Sequence, residues 1–356
     1  MYSESDLQAA VDARILTPEA AQALRNHVAS MRSAPNVDEE HFRLITGFND
    51  IFVSIAAIIL LVAVGWIGGE VHAALGGVAV AGTAWGLAEY FTRVRRMALP
   101  SIVLMLAFSG GVLGTMAGFL AEHGEAIFGH HPDETIVALI AAGIAAVTAV
   151  STWFHWRRFM VPITVAAGTA ALAGTLIALV ISVFGNPEHP DNFFMALVMI
   201  AGLGTFALAM WWDGSDRTRL TRRSDVAFWL HLLAAPMIAH PLFTLLGVTD
   251  GDNIASLAAV MVIGIYIVFG IIALAIDRRA LLVSALAYVL FALTQLFREF
   301  GAVELNVALT AFVIGSALLL LSAFWQTARA VVVRQLPAGL AGRLPVTQQQ
   351  VAATPA

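Results

Sequence analysis

Residues 51–68, IFVSIAAIILLVAVGWIG, run for eighteen positions without a charged side chain. As an α-helix they rise about 27 Å, close to the roughly 30 Å of a bilayer's hydrocarbon core. Working outward from this stretch, nine more of similar character follow, at 71–91, 98–120, 135–154, 160–184, 193–212, 226–246, 254–276, 280–296 and 306–325. Their period is helical, and Ala, Gly and Leu fill them in place of the alternating apolar/polar pattern of an outer-membrane strand, which excludes a β-barrel. The expected fold is an all-α integral membrane protein of about ten transmembrane helices preceded by a short helical hairpin.

Composition agrees. The 356 residues are 59% hydrophobic and 12% charged, with a mean hydropathy of +0.83, too apolar for an ordinary soluble domain. There is no cysteine and no lysine, which removes disulfides, thiolate catalysis, Schiff-base chemistry and a phosphate-binding lysine. An all-arginine cation set in an Ala/Gly-rich chain is the composition expected of a GC-rich bacterium.

The 19 arginines alternate between loops. With a cytoplasmic amino terminus, 18 of them fall inside, including Arg95/Arg96, Arg157/Arg158, Arg222/Arg223 and Arg278/Arg279, and only Arg298 falls outside. Arginines in short loops stay on the cytoplasmic side. Both termini are therefore expected in the cytoplasm of a bacterial inner membrane. The outer loops are acidic, with Glu70, Glu122, Glu125, Asp133, Glu134 and Asp191 among their residues. The arginine pairs recur once per helical hairpin, and RRMALPSIVLML (95–106) and RRFMVPITVAAG (157–168) share a proline near the next helix start. This rhythm fits either duplicated hairpins or the positive-inside rule alone.

At the amino end, residues 1–34 read as a cytoplasmic helical hairpin whose second helix has Thr17 as N-cap, Pro18 in its first turn and an apolar seam of Leu7, Val11, Ile15, Leu24 and Val28. Residues 35–50 read as a linker and a juxtamembrane helix, 51–326 as the ten-helix domain, and 327–356 as a partly disordered cytoplasmic tail. No cleaved signal peptide is expected, because the first fifty residues are polar and acidic. The arrangement ILTPEAAQAL (15–24), linker, FRLITGFNDIFVSIAAIILLVA (42–63) resembles bacterial membrane proteins of the domain-of-unknown-function 2157 kind. That resemblance implies a polytopic bacterial membrane protein and carries no catalytic or ligand residues with it.

Ionisable residues deep in lipid are costly and mark function by default. The seventh stretch stands out: FWLHLLAAPMIAHPLF (228–243) places His231, Pro236 and His240 in one helix. A proline frees a carbonyl that can line a cavity, and a histidine can relay a proton or bind a metal. Nine residues at 100° each put the two histidines on opposite faces, so they meet only if the helix kinks, and packed, hydrogen-bonded histidines are the alternative. Outside, AEHGEAIFGHHPDE (121–134) and NPEHPDN (186–192) offer His123, His130, His131 and His189 as candidate metal ligands or as part of a solvated acidic face. Gly82/Gly86 and Gly110/Gly114/Gly118 form small-xxx-small faces suited to helix packing within or between chains.

No nucleophile elbow, zinc-protease, Walker or dinucleotide motif appears, so no enzyme activity, cofactor or nucleic-acid partner is expected. Two functions remain open. One is a small-solute transporter or permease with a cavity near His231, Pro236 and His240. The other is a noncatalytic scaffold or sensor in the lipid bilayer whose hairpin or glycine faces bind a protein partner or a second copy.

Overall fold

A computed structural model describes residues 10–13, 15–31, 48–130, 132–185, 190–217, 219, 221–247, 256–299, 305–342 and 344–345. The chain divides into two compact units, residues 1–42 and 43–356. In the first, α1 (Pro18–Met31) begins as its sequence predicts: the Thr17 hydroxyl accepts the Ala20 N–H at 3.1 Å, with Pro18 and Glu19 in the first turn. Ahead of it, the Ile15 and Leu16 N–H groups close onto the Ala10 carbonyl. Ala21 is fully buried, whereas Ile15 is 78% exposed and so lies outside the expected seam. Leu7, the side chain of Val28 and most of the juxtamembrane segment lie outside the described residues.

Among the described residues of the second unit, every regular element is a helix: α2 (Phe48–Val71), α3 (Ala73–Ala88) running on as a π-helix (Glu89–Val94), α4 (Ala98–Phe128), α5 (Glu134–Phe159), α6 (Ile163–Phe184), α7 (Pro190–Ser215), α8 (Arg222–Leu245), α9 (Ser256–Ile276), α10 (Ala280–Glu299), α11 (Asn306–Ala323), α12 (Trp325–Gln335) and α13 (Ala338–Ala341). Among the described residues, nine helices are long and apolar enough to cross a membrane. The expected span at 71–91 is built differently, as 16 α-helical residues continued by the π-helix, whose wider turns are seen in the Arg95 N–H to Tyr90 carbonyl bond. Exposed Trp66, Phe184, Phe312 and Leu319 face outward, as side chains do when the surrounding solvent is apolar.

Consecutive helices pack as hairpins. In lipid, apolar burial does not drive helices together, so close backbone approach and buried polar contacts must. Glycines supply that approach between α3 and α4: a Cβ on Gly77 would stand 2.2 Å from the Thr115 nitrogen, one on Gly111 2.6 Å from the Ala81 nitrogen, and one on Gly118 2.5 Å from the Ala73 carbonyl carbon. Of the stripes expected to pack, Gly118 does so and Gly114 faces Gly77, 3.8 Å from its Cα if it carried a Cβ, while Gly82, Gly86 and Gly110 have open space where a Cβ would go. The tight face is therefore Ala73, Gly77 and Ala81 against Gly111 and Gly118, one position round from the expected stripe on α3 and sharing Gly118 with the expected stripe on α4.

The most buried span is α8, packed against α6, α7 and α10. Its alanines Ala234, Ala235 and Ala239 are fully buried and let neighbours close in. The helix is continuous through Pro236 and Pro241. Pro241 leaves the Met237 carbonyl without its helical donor, and Gly202 of α7 packs there, 2.9 Å from that carbonyl if it carried a Cβ.

Residues 336–342 and 344–345, read from sequence as the start of a disordered tail, are held to the bundle. Leu344 and Val333 are buried with Ile276, the Arg217 guanidinium donates to the Leu344 carbonyl at 2.9 Å, and Arg329 donates to the Pro345 carbonyl at 2.7 Å. Truncation after Gln335 exposes Ile276 and Val333 and removes both carbonyl acceptors. A lowered unfolding midpoint in detergent is expected, and an unchanged midpoint would show that the segment contributes nothing.

Candidate functional site

One residue past the expected end of the sixth span, Asp213 is 1% exposed. It sits in the last turns of α7, opposite the start of α8 and the α9–α10 corner. A carboxylate so buried must be paired or it neutralises. Arg278, from the corner, forks onto it with Nη2 to Oδ1 at 2.7 Å and Nε to Oδ2 at 3.3 Å. His231 of α8 closes the set, its Nε2 3.1 Å from Oδ2. The ionised carboxylate only accepts, so His231 carries its proton on Nε2, and its Nδ1 is buried without a partner. The same Arg278 Nη2 donates to the Ser224 carbonyl at 3.1 Å, tying α8's first turn into the group.

A second acid continues the cluster. Asp277 adopts a left-handed conformation (φ 58°) that turns the chain from α9 into α10. Its Oδ2 accepts from Arg219 at 2.8 Å and its Oδ1 from the Trp325 indole at 2.7 Å, with the Arg329 Nε 3.7 Å away. Arg219 also donates to the Ile276 and Asp277 carbonyls. Burial first, and then the neighbouring Arg278 charge, pulls the Arg219 guanidinium below its ordinary pKa. The set holds three guanidinium groups against two carboxylates, so α7, the α9–α10 corner and α12 are joined by charge at their arginine-bearing ends, and α8 joins them through the His231 and Ser224 hydrogen bonds.

Beside this cluster lies a cleft of about 1080 Å³. Leu203, Phe206 and Met210 of α7, Phe269 and Ile272 of α9, and Leu340 of the carboxyl-terminal segment form its apolar walls, and Arg217 and Ser215 stand at its arginine-rich end. From Gly214 to Leu203, both on the wall, is eleven residues, about 16 Å of helix. In a 26-residue helix that reaches to about the middle. Phe206 is shared: it lines the cleft and meets the His231 ring edge-on, with centroids 5.2 Å apart.

The three residues expected to line an intramembrane cavity are divided between two sides of α8. His231 is 2% exposed and engaged with Asp213 and Phe206. His240 lies on the other side of a continuous helix, 2.5 Å from the Tyr288 hydroxyl, and Pro236, one turn before His240, is exposed on that same side. α8 faces the cleft through Ile238 instead. Of the histidines expected as loop metal ligands, His130 pairs with Glu125 at the exposed end of α4, and His123 lies with His72 and Glu122. His131 and His189 lie outside the described residues.

Sequence reading missed Asp213, Arg278 as a buried ligand, and His72. Asp213 carried a signal, since WWDGSD (211–216) sets an acid directly against two tryptophans at a span end. Arg278 carried none, because a buried arginine and a topological one look alike in a loop. The chain matches no family model, no curated protein and no solved structure, so its site is read from its own residues.

Proposed function

We propose that the chain is a ten-span protein of a bacterial cytoplasmic membrane, both termini cytoplasmic, that acts as a permease for a small apolar or amphipathic solute. The observation that carries this reading is the apolar cleft, which runs from the arginine-rich end to about mid-helix and so resembles the inward-open half of an alternating-access path. The tenth span is α3 with its π-helix. Orientation follows the arginines. In support, the ion pairs between helices join residues assigned to one side: Glu89 with Arg158, Asp213 with Arg278 and Asp277 with Arg219 on the inside, His72 with Glu122 on the outside. In this reading the Asp213–Arg278–His231 group holds α7 and α8 against the α9–α10 corner, and the Phe206 ring separates it from the solute.

The test compares proteoliposomes of the full chain with those of Ala207→Trp/Ala275→Trp, which fills the cleft. Uptake of a labelled apolar amino acid and of a medium-chain carboxylate is measured in both. The reading expects uptake of at least one of them above protein-free vesicles and its loss in the filled variant. Equal uptake by both proteins, or none above empty vesicles, contradicts it.

One observation favours a second reading, a scaffold or sensor that works through the amino-terminal hairpin. Residues 1–42 form their own compact unit, and so small a unit rarely folds without a surface to dock on, such as a partner or a second copy. Under this reading, deleting residues 1–36 leaves the spans inserted and abolishes self-association measured by light scattering in detergent. An unchanged mass removes the second-copy form of it.

A further inference from the structure

We propose that His72, Glu122 and His123 form a site for one divalent transition-metal ion of the zinc class, at the end of the α2–α3–α4 group opposite the arginine clusters. His72 is the single residue between α2 and α3, and Glu122 and His123 lie in the last turns of α4. One ligand atom from each residue lies within 4.8 Å of those of the other two. Two imidazoles and a carboxylate are a zinc ligand set that leaves a coordination position for water.

The surroundings orient each ligand, as outer contacts do around metal sites. Glu122 is fixed by the Ala73 N–H, which donates to Oε1 at 2.6 Å and leaves Oε2 turned to His72. His123 has Nδ1 3.3 Å from the Phe119 carbonyl. A carbonyl only accepts, so Nδ1 holds the proton and Nε2 keeps a lone pair for a metal. The His123 ring is stacked between Phe119, at 4.8 Å, and His72, at 5.3 Å, which brings the two imidazoles nearly parallel.

His72 is the ligand that has to change. Its Nδ1 accepts from the Ala74 N–H at 3.1 Å, so in the metal-free state the proton is on Nε2 and is shared with Glu122 Oε2 at 2.8 Å. An ion takes that proton's place between the two side chains. The proton passes through solvent to Nδ1, with no net release, and the part-exposed Ala74 N–H turns to water. The site therefore clips the α2–α3 corner to the end of α4, where Gly118 already lets α3 and α4 touch.

The test uses the full chain in detergent, first with Zn²⁺ by titration calorimetry and then with Co²⁺ by visible absorption. The expected result is one Zn²⁺ per chain, a rise in unfolding midpoint with Zn²⁺, and a Co²⁺ spectrum of nitrogen and oxygen ligation. All three signals disappear in His123→Ala and in Glu122→Gln and persist in His130→Ala, whose histidine lies outside the cluster. The absence of saturable Zn²⁺ binding in the wild-type chain overturns the proposal whatever the variants do. So does binding that survives His72→Ala/His123→Ala.

Discussion

Replacing Arg278 by alanine is expected to destabilise the helical bundle by about 3–5 kcal/mol, the cost of leaving a buried carboxylate without its partner. Asp213 would lose both guanidinium bonds and keep only the His231 Nε2–H. The pair itself need not be stabilising relative to apolar residues, because both charges were desolvated to form it. Asp213→Leu/Arg278→Met should therefore recover most of the loss, a non-additivity that a double-mutant cycle measures. His231→Leu removes one donor from a carboxylate still held by Arg278, and its expected cost is smaller, about 1–3 kcal/mol. Unfolding in mixed micelles titrated with denaturing detergent reads all of these. An Arg278→Ala protein as stable as one carrying Arg223→Ala at an exposed position would show that the cluster does not hold the helices.

Gly77→Leu is expected to cost as much through a different cause. The added Cβ would stand 2.2 Å from the Thr115 nitrogen and 2.7 Å from the Gly111 carbonyl oxygen, backbone atoms that cannot rotate away. α3 and α4 must separate, and the loss should reach or exceed about 3 kcal/mol, the upper end of ordinary overpacking. Gly82→Leu on the same helix meets nothing within 4 Å and should be neutral. Equal stability of the two variants would contradict the packing of α3 on α4.

These two predictions mark where sequence sufficed and where it did not. The apolar run at 51–68 announces α2, and Thr17-Pro18-Glu19 announces α1, because length, hydropathy and caps are local properties. Which glycines pack is not local. Gly82/Gly86 and Gly77/Ala81 have the same spacing, and only the face that α3 turns to α4 distinguishes them. The same holds for charge. Arg278 and Arg279 read alike as topological arginines, yet Arg278 is buried on Asp213 while Arg279 stacks its guanidinium 4.6 Å from the Trp325 ring centroid. The histidines of α8 were legible in part. Their spacing puts them on opposite faces, and His231 and His240 do take different partners, but the acid that engages His231 comes from another helix.

The carboxyl-terminal segment was illegible for a related reason. Residues 336–345 lack periodicity because they are too short to need it. Arginine-to-carbonyl bonds to Leu344 and Pro345 and the packing of Leu336, Ala341 and Leu344 hold the described residues there, and none of these contacts is a sequence pattern.

Most depends on which side the arginine-rich ends face, since the cleft's polar residues, Arg217 and Ser215, stand there. The absence of native cysteine makes this directly measurable by single introduced cysteines. Ala126→Cys and Asp191→Cys mark one set of ends, and Arg95→Cys and Gln335→Cys the other. In intact bacterial spheroplasts a membrane-impermeant maleimide should label the first two and reach the second two only after the membrane is opened. Labelling of Arg95→Cys or Gln335→Cys in sealed spheroplasts, with protection of Ala126→Cys, would reverse the orientation and contradict the account.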